Sequence, residues 1–264
     1  MTAVSRPGRI ALYVYGLLIL VVLYLPLVAV GFASVSKARY LSFPVKRYTS
    51  EWLTSSLTSP NVHVLVVTSL KVAVLVTLIS IVIGFFAALA FARFQWKYRG
   101  FYQKLILLPI FFPQTVLGLA LLIWFSAIGI TPTWKTAVVA HLVWITPITT
   151  LIIAIRAYGF DPSLEEAARD MGATTFVIMR EITIPLLMPG IVAAGLFAFL
   201  LSWGNFPLSL FTAGVDATLP KWLYSRMISG FTPQIPAIGM LAVASSTVLV
   251  LAGLAVIWWL RRRA

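Results

Sequence analysis

Cysteine is absent from this sequence of 264 residues, and histidine occurs only twice. Without cysteine the chain can form neither a disulfide bond nor a thiolate metal site, and two histidines cannot assemble a metal site alone. Charge is scarce as well, since charged residues make up 10% of the sequence, whereas soluble domains contain about a quarter. The sequence therefore argues against a water-soluble enzyme and predicts no metal site in this chain.

Long apolar stretches take the place of the missing charge. Hydrophobic residues make up 61% of the chain, and the mean hydropathy is +0.99. Each apolar stretch can supply the roughly 20 residues with which a helix crosses a ~30 Å hydrocarbon core, and none alternates with the period of two of a membrane β-barrel. The stretches free of Asp, Glu, Lys and Arg are 10–36, 72–92, 105–134, 136–155, 182–215 and 227–260. These patterns predict an all-α, polytopic membrane protein with six transmembrane helices.

The charged residues between the apolar stretches divide the chain into spans and loops. The first stretch follows Arg6 and Arg9, as in a signal peptide, but it exceeds the 7–15 apolar residues typical of one. We therefore interpret it as a retained span within a single transmembrane domain, 1–264. The spans are expected at about 10–35, 62–92, 105–128, 136–155, 189–210 and 238–260. Loop 156–188, between spans four and five, is dense in charges of both signs.

The basic residues indicate an orientation. With both termini in the cytoplasm, twelve of the twenty lysines and arginines lie inside, mostly in the loop after span two and at 261–263. Five of the seven acidic residues then fall in the cytoplasmic loop 156–188. The net charge of +13 is carried mainly by residues that flank apolar runs, so we expect contact with membrane lipid and no nucleic-acid partner. Trp258 and Trp259 are typical of the interfacial belt.

Loop 156–188 contains a short helix. The sequence predicts a helix at 163–171, with Asp161 or Ser163 as its N-cap and Gly172 as the residue that ends it. Its glutamates at positions 165 and 166 are spaced to pair with Arg169. A second helical segment, 174–182, leads into span five.

A charged, amphipathic helix on the cytoplasmic face is typical of a docking element. Ala167 and Ala168 provide a small surface that permits close approach of a partner. The alternative is an interfacial helix on anionic lipid, which the five acids and three arginines of the loop disfavour.

The spacing within this loop resembles a known family. Glu166-Ala167-Ala168 is followed after three residues by Gly172, and after nine more by Ile182, with Pro185 closing the pattern. This arrangement resembles the inner-membrane permeases of binding-protein-dependent ABC importers, although isoleucine stands at position 184 where leucine is usual. In that family the loop is a coupling helix, which seats in a groove of the ATP-binding subunit.

The resemblance implies the partners and the coupling residues. ATP and Mg would be bound by a separate dimeric ATPase, because this chain has no G-x-x-x-x-G-K-[ST] phosphate loop, and the chain itself would hold no cofactor and be no enzyme. A second permease, a related heterologous chain or a second copy, would complete the pathway in the bacterial inner membrane. A periplasmic solute-binding protein would dock on the outer loops 40–60 and 211–236. The residues expected to couple to the ATPase are Ser163, Leu164, Glu165, Glu166, Ala167, Ala168, Asp170, Met171, Gly172 and Ala173.

Further stretches are similar to the polyamine branch of these permeases, which transports spermidine and putrescine. They are Leu108-Pro109 with Pro113, Phe199 to Trp203, Leu210 to Gly214, and Thr218-Leu219-Pro220. One departure is that Gly204-Asn205 stands where the polyamine pattern tends to have Asp-Glu. Since the predicted spans contain no acidic residue, a cation would depend on aromatic faces or on a partner subunit. A polyamine or a related small organic molecule is the expected solute.

Polar and aromatic residues in the spans are the candidates for the solute pathway. A polar side chain within a span is costly and usually faces protein or water. Asn205 fits solute contact and interhelical hydrogen bonding equally, His141 also fits a packing role, and Gln114 follows a proline that can either break or kink span three. The pathway candidates are Trp203, Asn205, Trp124, Trp144, His141 and Gln114.

Two other classes of membrane protein compete with this interpretation. An ATP-independent secondary transporter or channel predicts ion-coupling acids or an internal repeat in the spans, and we find neither. A membrane-embedded enzyme requires a cluster of His, Asp, Glu or Cys near the bilayer, whereas His141 stands alone. Neither class explains the spacing from Glu166 to Pro185.

Overall fold

The computed structural model describes residues 6–38 and 44–263, without the side chains of Leu260, Arg261 and Arg263. Residues 40–43 of the predicted outer loop 40–60 lie outside the described residues. The described chain is helical apart from turns and an isolated antiparallel bridge between Ser36 and Tyr48. Its α-helices are α1 (Arg6–Ser34), α2 (Glu51–Thr58), α3 (Pro60–Ala92), α4 (Arg99–Leu107), α5 (Gln114–Ala127), α6 (Trp134–Tyr158), α7 (Ser163–Asp170), α8 (Thr175–Ile178), α9 (Ile184–Trp203), α10 (Pro207–Thr212), α11 (Leu219–Ser229) and α12 (Gln234–Arg263). A 3₁₀ helix, Leu108–Phe111, follows α4, and a π-helix, Met179–Thr183, precedes α9.

Five helical stretches of the described chain are long and apolar enough to cross a membrane. They are α1, α3, α6, Thr175–Trp203 and Gln234–Trp259. A sixth span results if Arg99–Phe111 and α5 are counted together, although these two are bent by 101° relative to each other. The prediction of an all-α, polytopic membrane protein is confirmed, with five to six candidate spans.

The third predicted span, 105–128, is not one straight helix. Phe112 is extended, with a ψ of 134°, and Pro113 has a ψ of 129°. Proline lacks the N–H that would continue the helical hydrogen bonds, and its ring disfavours helical geometry in the residue before it. The chain therefore turns at this point, and Gln114 begins α5 instead of lying inside a continuous helix.

The fifth predicted span, 189–210, is shifted toward the N-terminus. Helix α9 begins at Ile184 and ends at Trp203, and α10 forms a separate helix with Pro207 at its start. The break falls at Gly204–Phe206, where proline at the first turn favours a new helix start. Helix α11 occupies part of the loop 211–236, where turn-forming residues are frequent in the sequence.

The described chain forms two compact units. The first consists of residues up to Val62 together with Ser225–Ser245, and the second of His63–Tyr224 together with the residues from Ser246 onward. In the first unit, the indole N–H of Trp52 donates to the carbonyl of Ser36 at 3.1 Å, which ties α2 to the segment that follows α1.

The second unit holds the main core and the sites described below. Two apolar clusters join α3, α6 and α9, one around Phe85, Ile153 and Leu187 and the other around Val76 and Ile145. The two helices α3 and α6 approach closely at Gly84, where an added Cβ would lie 3.1 Å from the Thr149 side chain. Small residues permit such close helix packing in membrane proteins.

Candidate functional site

Helix α7 carries the motif that the sequence singles out. The Asp161 carboxylate accepts a hydrogen bond from the backbone N–H of Ser163 at 3.0 Å, and hydrogen bonds from Ser163 lower the pKa of Asp161. At the other end, Gly172 has a φ of 85°, a left-handed conformation that glycine adopts without a steric cost. The N–H of Ala173 then donates to the carbonyl of Ala168 at 2.9 Å, which closes the helix end.

Most of α7 is exposed. Ala168 is buried and Glu165 is half-buried, whereas the exposed residues of the motif include an apolar pair, Leu164 and Met171, the latter 83% exposed. These two large apolar side chains are therefore accessible on an otherwise polar helix. The other exposed residues of the segment are Ser163, Glu166, Ala167, Arg169, Asp170 and Gly172.

Glu165 has a different partner from the one that the helical spacing indicates. The Thr183 hydroxyl donates to Oε1 of Glu165 at 2.7 Å, across 18 residues of sequence. No ion pair joins Arg169 to Glu165 or Glu166 within the described ranges, where an ion pair is found instead between Arg180 and Glu181 at 3.4 Å. The expected pairing with Arg169 is therefore wrong for these side chains: Glu165 is engaged by Thr183, and Glu166 and Arg169 are both exposed, where an ion pair contributes little.

The segment after α7 enters span five through a π-helix. Thr174 caps α8, and its hydroxyl oxygen accepts from the N–H of Val177 at 3.4 Å. The π-helix Met179–Thr183 follows directly and continues into α9. Thr183, its last residue, is only 2% exposed. Short π-helical turns are rare and frequently occur at functional sites.

A cavity of about 470 Å³ adjoins α7 and the end of α3. Arg93 lies at this cavity, with its guanidinium carbon 4.2 Å from the centre of the Phe160 ring and its Nη1 donating to the Phe160 carbonyl at 3.4 Å. Its Nε and Nη2 are buried and find no protein partner among the described residues. Other polar residues that line the cavity are Gln95, Glu165, Glu166, Arg169, Thr175 and Thr183.

A second group of polar side chains lies inside the spans around His141. Its ring nitrogens make hydrogen bonds with the hydroxyls of Ser202, at 2.9 Å from Nδ1, and Ser209, at 3.0 Å from Nε2. His141 is 1% exposed and joins α6, α9 and α10. A neutral imidazole donates from one nitrogen and accepts at the other, so one serine accepts and the other donates.

Asn205 and Gln114 connect the two helix breaks. The Asn205 amide donates to Oε1 of Gln114 at 3.2 Å, and its own oxygen accepts from the N–H of Leu208 at 3.1 Å. Asn205 is 4% exposed, and its backbone N–H donates to the Ser202 carbonyl at 3.2 Å. The break after α9 and the break before α5 therefore meet at one amide pair, which is linked through Ser202 to His141.

A family model described as "Binding-protein-dependent transport system inner membrane component" matches residues 80–264, well over half of the chain. The chain belongs to this family. The match includes α7, the π-helix and the polar group around His141. This permease is therefore a multi-pass transport protein of the inner membrane and not an enzyme.

Similar proteins and structures agree with this assignment. The spermidine/putrescine transport system permease protein PotC of Haemophilus influenzae is 27% identical over 230 residues, which cover 86% of this chain and 89% of PotC. The putrescine transport system permease protein PotI of Escherichia coli is 28% identical over 254 residues, with 93% and 89% covered. A bacterial ABC transporter involved in the import of the polysaccharide alginate shares the fold, with a TM-score of 0.70 over 96% of both chains and 16% identity. The resemblance of this permease to the polyamine branch is confirmed.

The three tryptophans among the pathway candidates of the permease form no hydrogen bond with the amide pair in the described part of the chain. Trp203 is half-buried and stacks on Phe199, with ring centres 6.0 Å apart. Trp124 is exposed on α5. Trp144 is half-buried, and its indole N–H is buried without a hydrogen-bond partner among the described residues. The structure thus joins three of the six candidates, His141, Asn205 and Gln114, into one group.

The start of α6 is tied to the segment after α10. Oδ2 of Asp216 accepts from the backbone N–H of Trp134 at 2.9 Å, and the Thr136 hydroxyl donates to the Thr212 carbonyl at 2.7 Å. The Lys221 amine donates to the Gly214 carbonyl, and burial lowers the pKa of Lys221 while nearby Asp216 opposes this shift. Val215, at the tip of this corner, is 95% exposed.

The sequence does not indicate that Ser209 bonds to His141 or that Thr183 bonds to Glu165. Serine and threonine are frequent in membrane helices and loops, and neither residue belongs to the spacing that identifies the family. Ser209 is recognisable only because α10 packs against α6, and Thr183 only because the π-helix lies beside α7. No local signal in the sequence distinguishes them from neighbouring hydroxyl residues.

Proposed function

We propose that this permease is one of two transmembrane subunits of an ATP-driven importer, in which it forms half of the pathway for a small solute. The observation that carries the proposal is α7, an exposed helix with the family's spacing from Glu166 to Pro185, located within the region matched by the family model. The solute is delivered by a periplasmic binding protein, and closure of a separate ATPase drives transport.

Helix α7 is the coupling helix in this proposal. Its exposed Glu166 makes polar contacts in a groove of the ATPase, and Ala167 permits close approach of the two backbones. Leu164 and Met171 supply apolar contact area that would be buried on docking. Gly172 sets the direction in which the chain leaves the helix. ATP and Mg are bound by the ATPase, which supplies the chemistry of hydrolysis.

The orientation follows from this assignment. Docking of α7 on an ATPase requires loop 156–188 to lie in the cytoplasm of a bacterium. With Arg99–Phe111 and α5 counted together as one span, both termini lie there too. The corner formed by Asp216, the start of α6 and the exposed Val215 then faces the periplasm. Val215 is then accessible to the binding protein, on a loop that the hydrogen bond between Asp216 and Trp134 holds against α6.

We assign the solute to the polyamines or related small organic molecules. The relatives PotC and PotI carry the names of spermidine and putrescine transport systems. The predicted spans contain no carboxylate, so a cationic solute would be held by aromatic faces such as those of Trp124 and Trp203, whose rings attract cations. The second permease, a related heterologous chain, would supply the other half of the pathway.

The test begins with the tagged permease, purified from its native membrane in mild detergent. We expect a stoichiometric pair of ATPase subunits and a second permease to copurify with it. In liposomes, this complex should take up spermidine or putrescine only with ATP and binding protein present. A chain that purifies alone and moves solute without ATP would instead be a secondary transporter, and the proposal would be wrong.

A further inference from the structure

Two adjacent glutamates in α7 have different surroundings. Glu166 is exposed, whereas Glu165 is half-buried and accepts the 2.7 Å hydrogen bond from Thr183. A hydrogen bond to an ionised carboxylate is stronger than one between neutral groups. The side chain of Glu165 is therefore held at the base of α9, while that of Glu166 remains available to a partner.

The stretch of chain that connects α7 to α9 is poorly suited to passing on a movement of α7. From α7 the chain passes through Met171, through left-handed Gly172 and through a stretch, 174–177, whose residues are all exposed. It then passes through a π-helix, a geometry that interrupts the regular ladder of hydrogen bonds in an α-helix. A displacement of α7 could be absorbed by these turns before it reached α9.

The hydrogen bond between Glu165 and Thr183 joins α7 directly to a residue that lies in the core. Thr183 is buried, and its neighbour Ile184 packs together with Met179 against the apolar cluster around Phe85, Ile153 and Leu187. That cluster joins α3, α6 and α9. Because cores are close-packed and transmit strain, a pull on Thr183 acts on three spans together.

We propose that the hydrogen bond between Glu165 and Thr183 is the link that passes movement of α7 to the spans. The two glutamates then have different roles. Glu166 contacts the ATPase, and Glu165 connects α7 to span five. Glu165 and Thr183 are positioning residues, because neither touches solute or nucleotide through this bond. The inference rests on the proposed function of α7 as the coupling helix.

The first test is the variant Thr183→Val. It is studied in the complete complex, reconstituted with ATPase, second permease and binding protein. Valine preserves the shape of threonine but cannot donate to Glu165. We expect the stimulation of ATPase activity by solute-loaded binding protein, and solute uptake per ATP hydrolysed, to fall by roughly tenfold, as expected for loss of a hydrogen bond to a charged group.

Matched variants separate the link from general effects on folding. Thr183→Ser keeps the hydroxyl and should retain wild-type coupling. Thr150→Val removes another fully buried hydroxyl, one that donates at 2.8 Å to the Thr146 carbonyl of its own helix, and should also couple normally. Glu165→Ala combined with Thr183→Val should be no worse than the more impaired single variant, because both remove the same bond.

A distance measurement gives a second, independent test if Thr183→Val assembles poorly. The chain has no cysteine, so spin labels can be placed through Asp170→Cys on α7 and Phe197→Cys on α9, both exposed positions. With Thr183→Ser as reference, we expect Glu165→Ala to broaden the distribution of distances between the two labels.

The outcomes distinguish this inference from the proposed function. Wild-type coupling in Thr183→Val, or an unchanged label distribution in Glu165→Ala, overturns the link and leaves the importer intact. A wild-type chain without an ATPase partner or ATP-dependent uptake refutes the importer itself. Loss of coupling in Thr183→Val with normal coupling in Thr183→Ser and Thr150→Val supports the link.

Discussion

This permease has two polar regions, one around α7 and one inside the spans around His141 and Asn205. Their polar side chains differ in exposure and in their hydrogen-bond partners. Around α7, the charged side chains of Glu166, Arg169 and Asp170 are exposed, and no ion pair joins Arg169 to either acid in the described part of the chain. Inside the spans, His141 and Asn205 are almost fully buried, and their polar atoms bond to other parts of the same chain. The exposed region is free to meet a partner, whereas the buried region holds helices together.

The difference shows why the two regions respond differently to mutation. A buried polar group that loses its partner costs free energy of unfolding, because it can no longer bond to water. An exposed group that loses its charge costs little in folding, and its effect is on binding. Changes near α7 should therefore alter transport while the protein stays folded, and changes near His141 should alter stability.

Glu166→Lys should have the largest effect on transport. It reverses a charge on the face that we propose to dock on the ATPase, so we expect uptake and stimulated ATPase activity to be abolished while the protein still inserts and melts normally. The measurement is ATP-dependent uptake in liposomes together with the melting temperature. Glu181→Lys, at an exposed glutamate of the same segment outside the motif, is the control. Wild-type uptake with Glu166→Lys would refute the coupling assignment.

Gly172→Val should also abolish coupling, by a conformational effect. A φ of 85° is strained for a β-branched residue, so valine would redirect the chain at the end of α7. Asparagine adopts this conformation more readily, and Gly172→Asn should retain part of the wild-type activity. Equal activity of the two variants, measured as stimulated ATPase activity, would show that the left-handed turn is not required.

His141→Leu tests the buried side of the comparison. It leaves the hydroxyls of Ser202 and Ser209 without their partner, which we expect to cost about 2 kcal/mol or more in the free energy of unfolding. The melting temperature in detergent, followed by tryptophan fluorescence, should fall by several degrees. Adding Ser202→Ala and Ser209→Ala should restore much of the loss, because the two hydroxyls that lost their partner are then removed. A melting temperature unaffected by His141→Leu would contradict a structural role.

Asn205→Ala should have the smallest effect, and it tests whether the buried region also contributes to solute binding. Loss of its hydrogen bond with the N–H of Leu208, in the first turn of α10, is expected to cost about 1 kcal/mol, and loss of its bond to Gln114 should change the apparent affinity for solute. Asn205→Ser retains an oxygen that can accept from the N–H of Leu208 but removes the amide donor to Gln114. Stability should then recover while affinity does not. Unchanged uptake kinetics in both variants would exclude Asn205 from the solute pathway.

The sequence predicts much of the fold and, of the two polar regions, the one around α7. The apolar stretches predict a membrane protein because exposing a helix of about twenty apolar residues to water is unfavourable. The spacing from Glu166 to Pro185 identifies the family. The bounds of the third and fifth spans were less predictable. Pro113 and Gly204 mark the breaks, but proline in a span can also produce a kink without ending the helix.

The sequence by itself determined that this protein is a helical membrane permease, because hydropathy and the motif are local properties of the chain. Only the tertiary structure decided which polar side chains meet. Thr183 and Glu165 are 18 residues apart, His141 and Ser209 are 68 apart, and Asn205 and Gln114 are 91 apart. Such pairs form because packed helices bring distant hydroxyls and amides within hydrogen-bonding distance, and the sequence contains no local record of that packing.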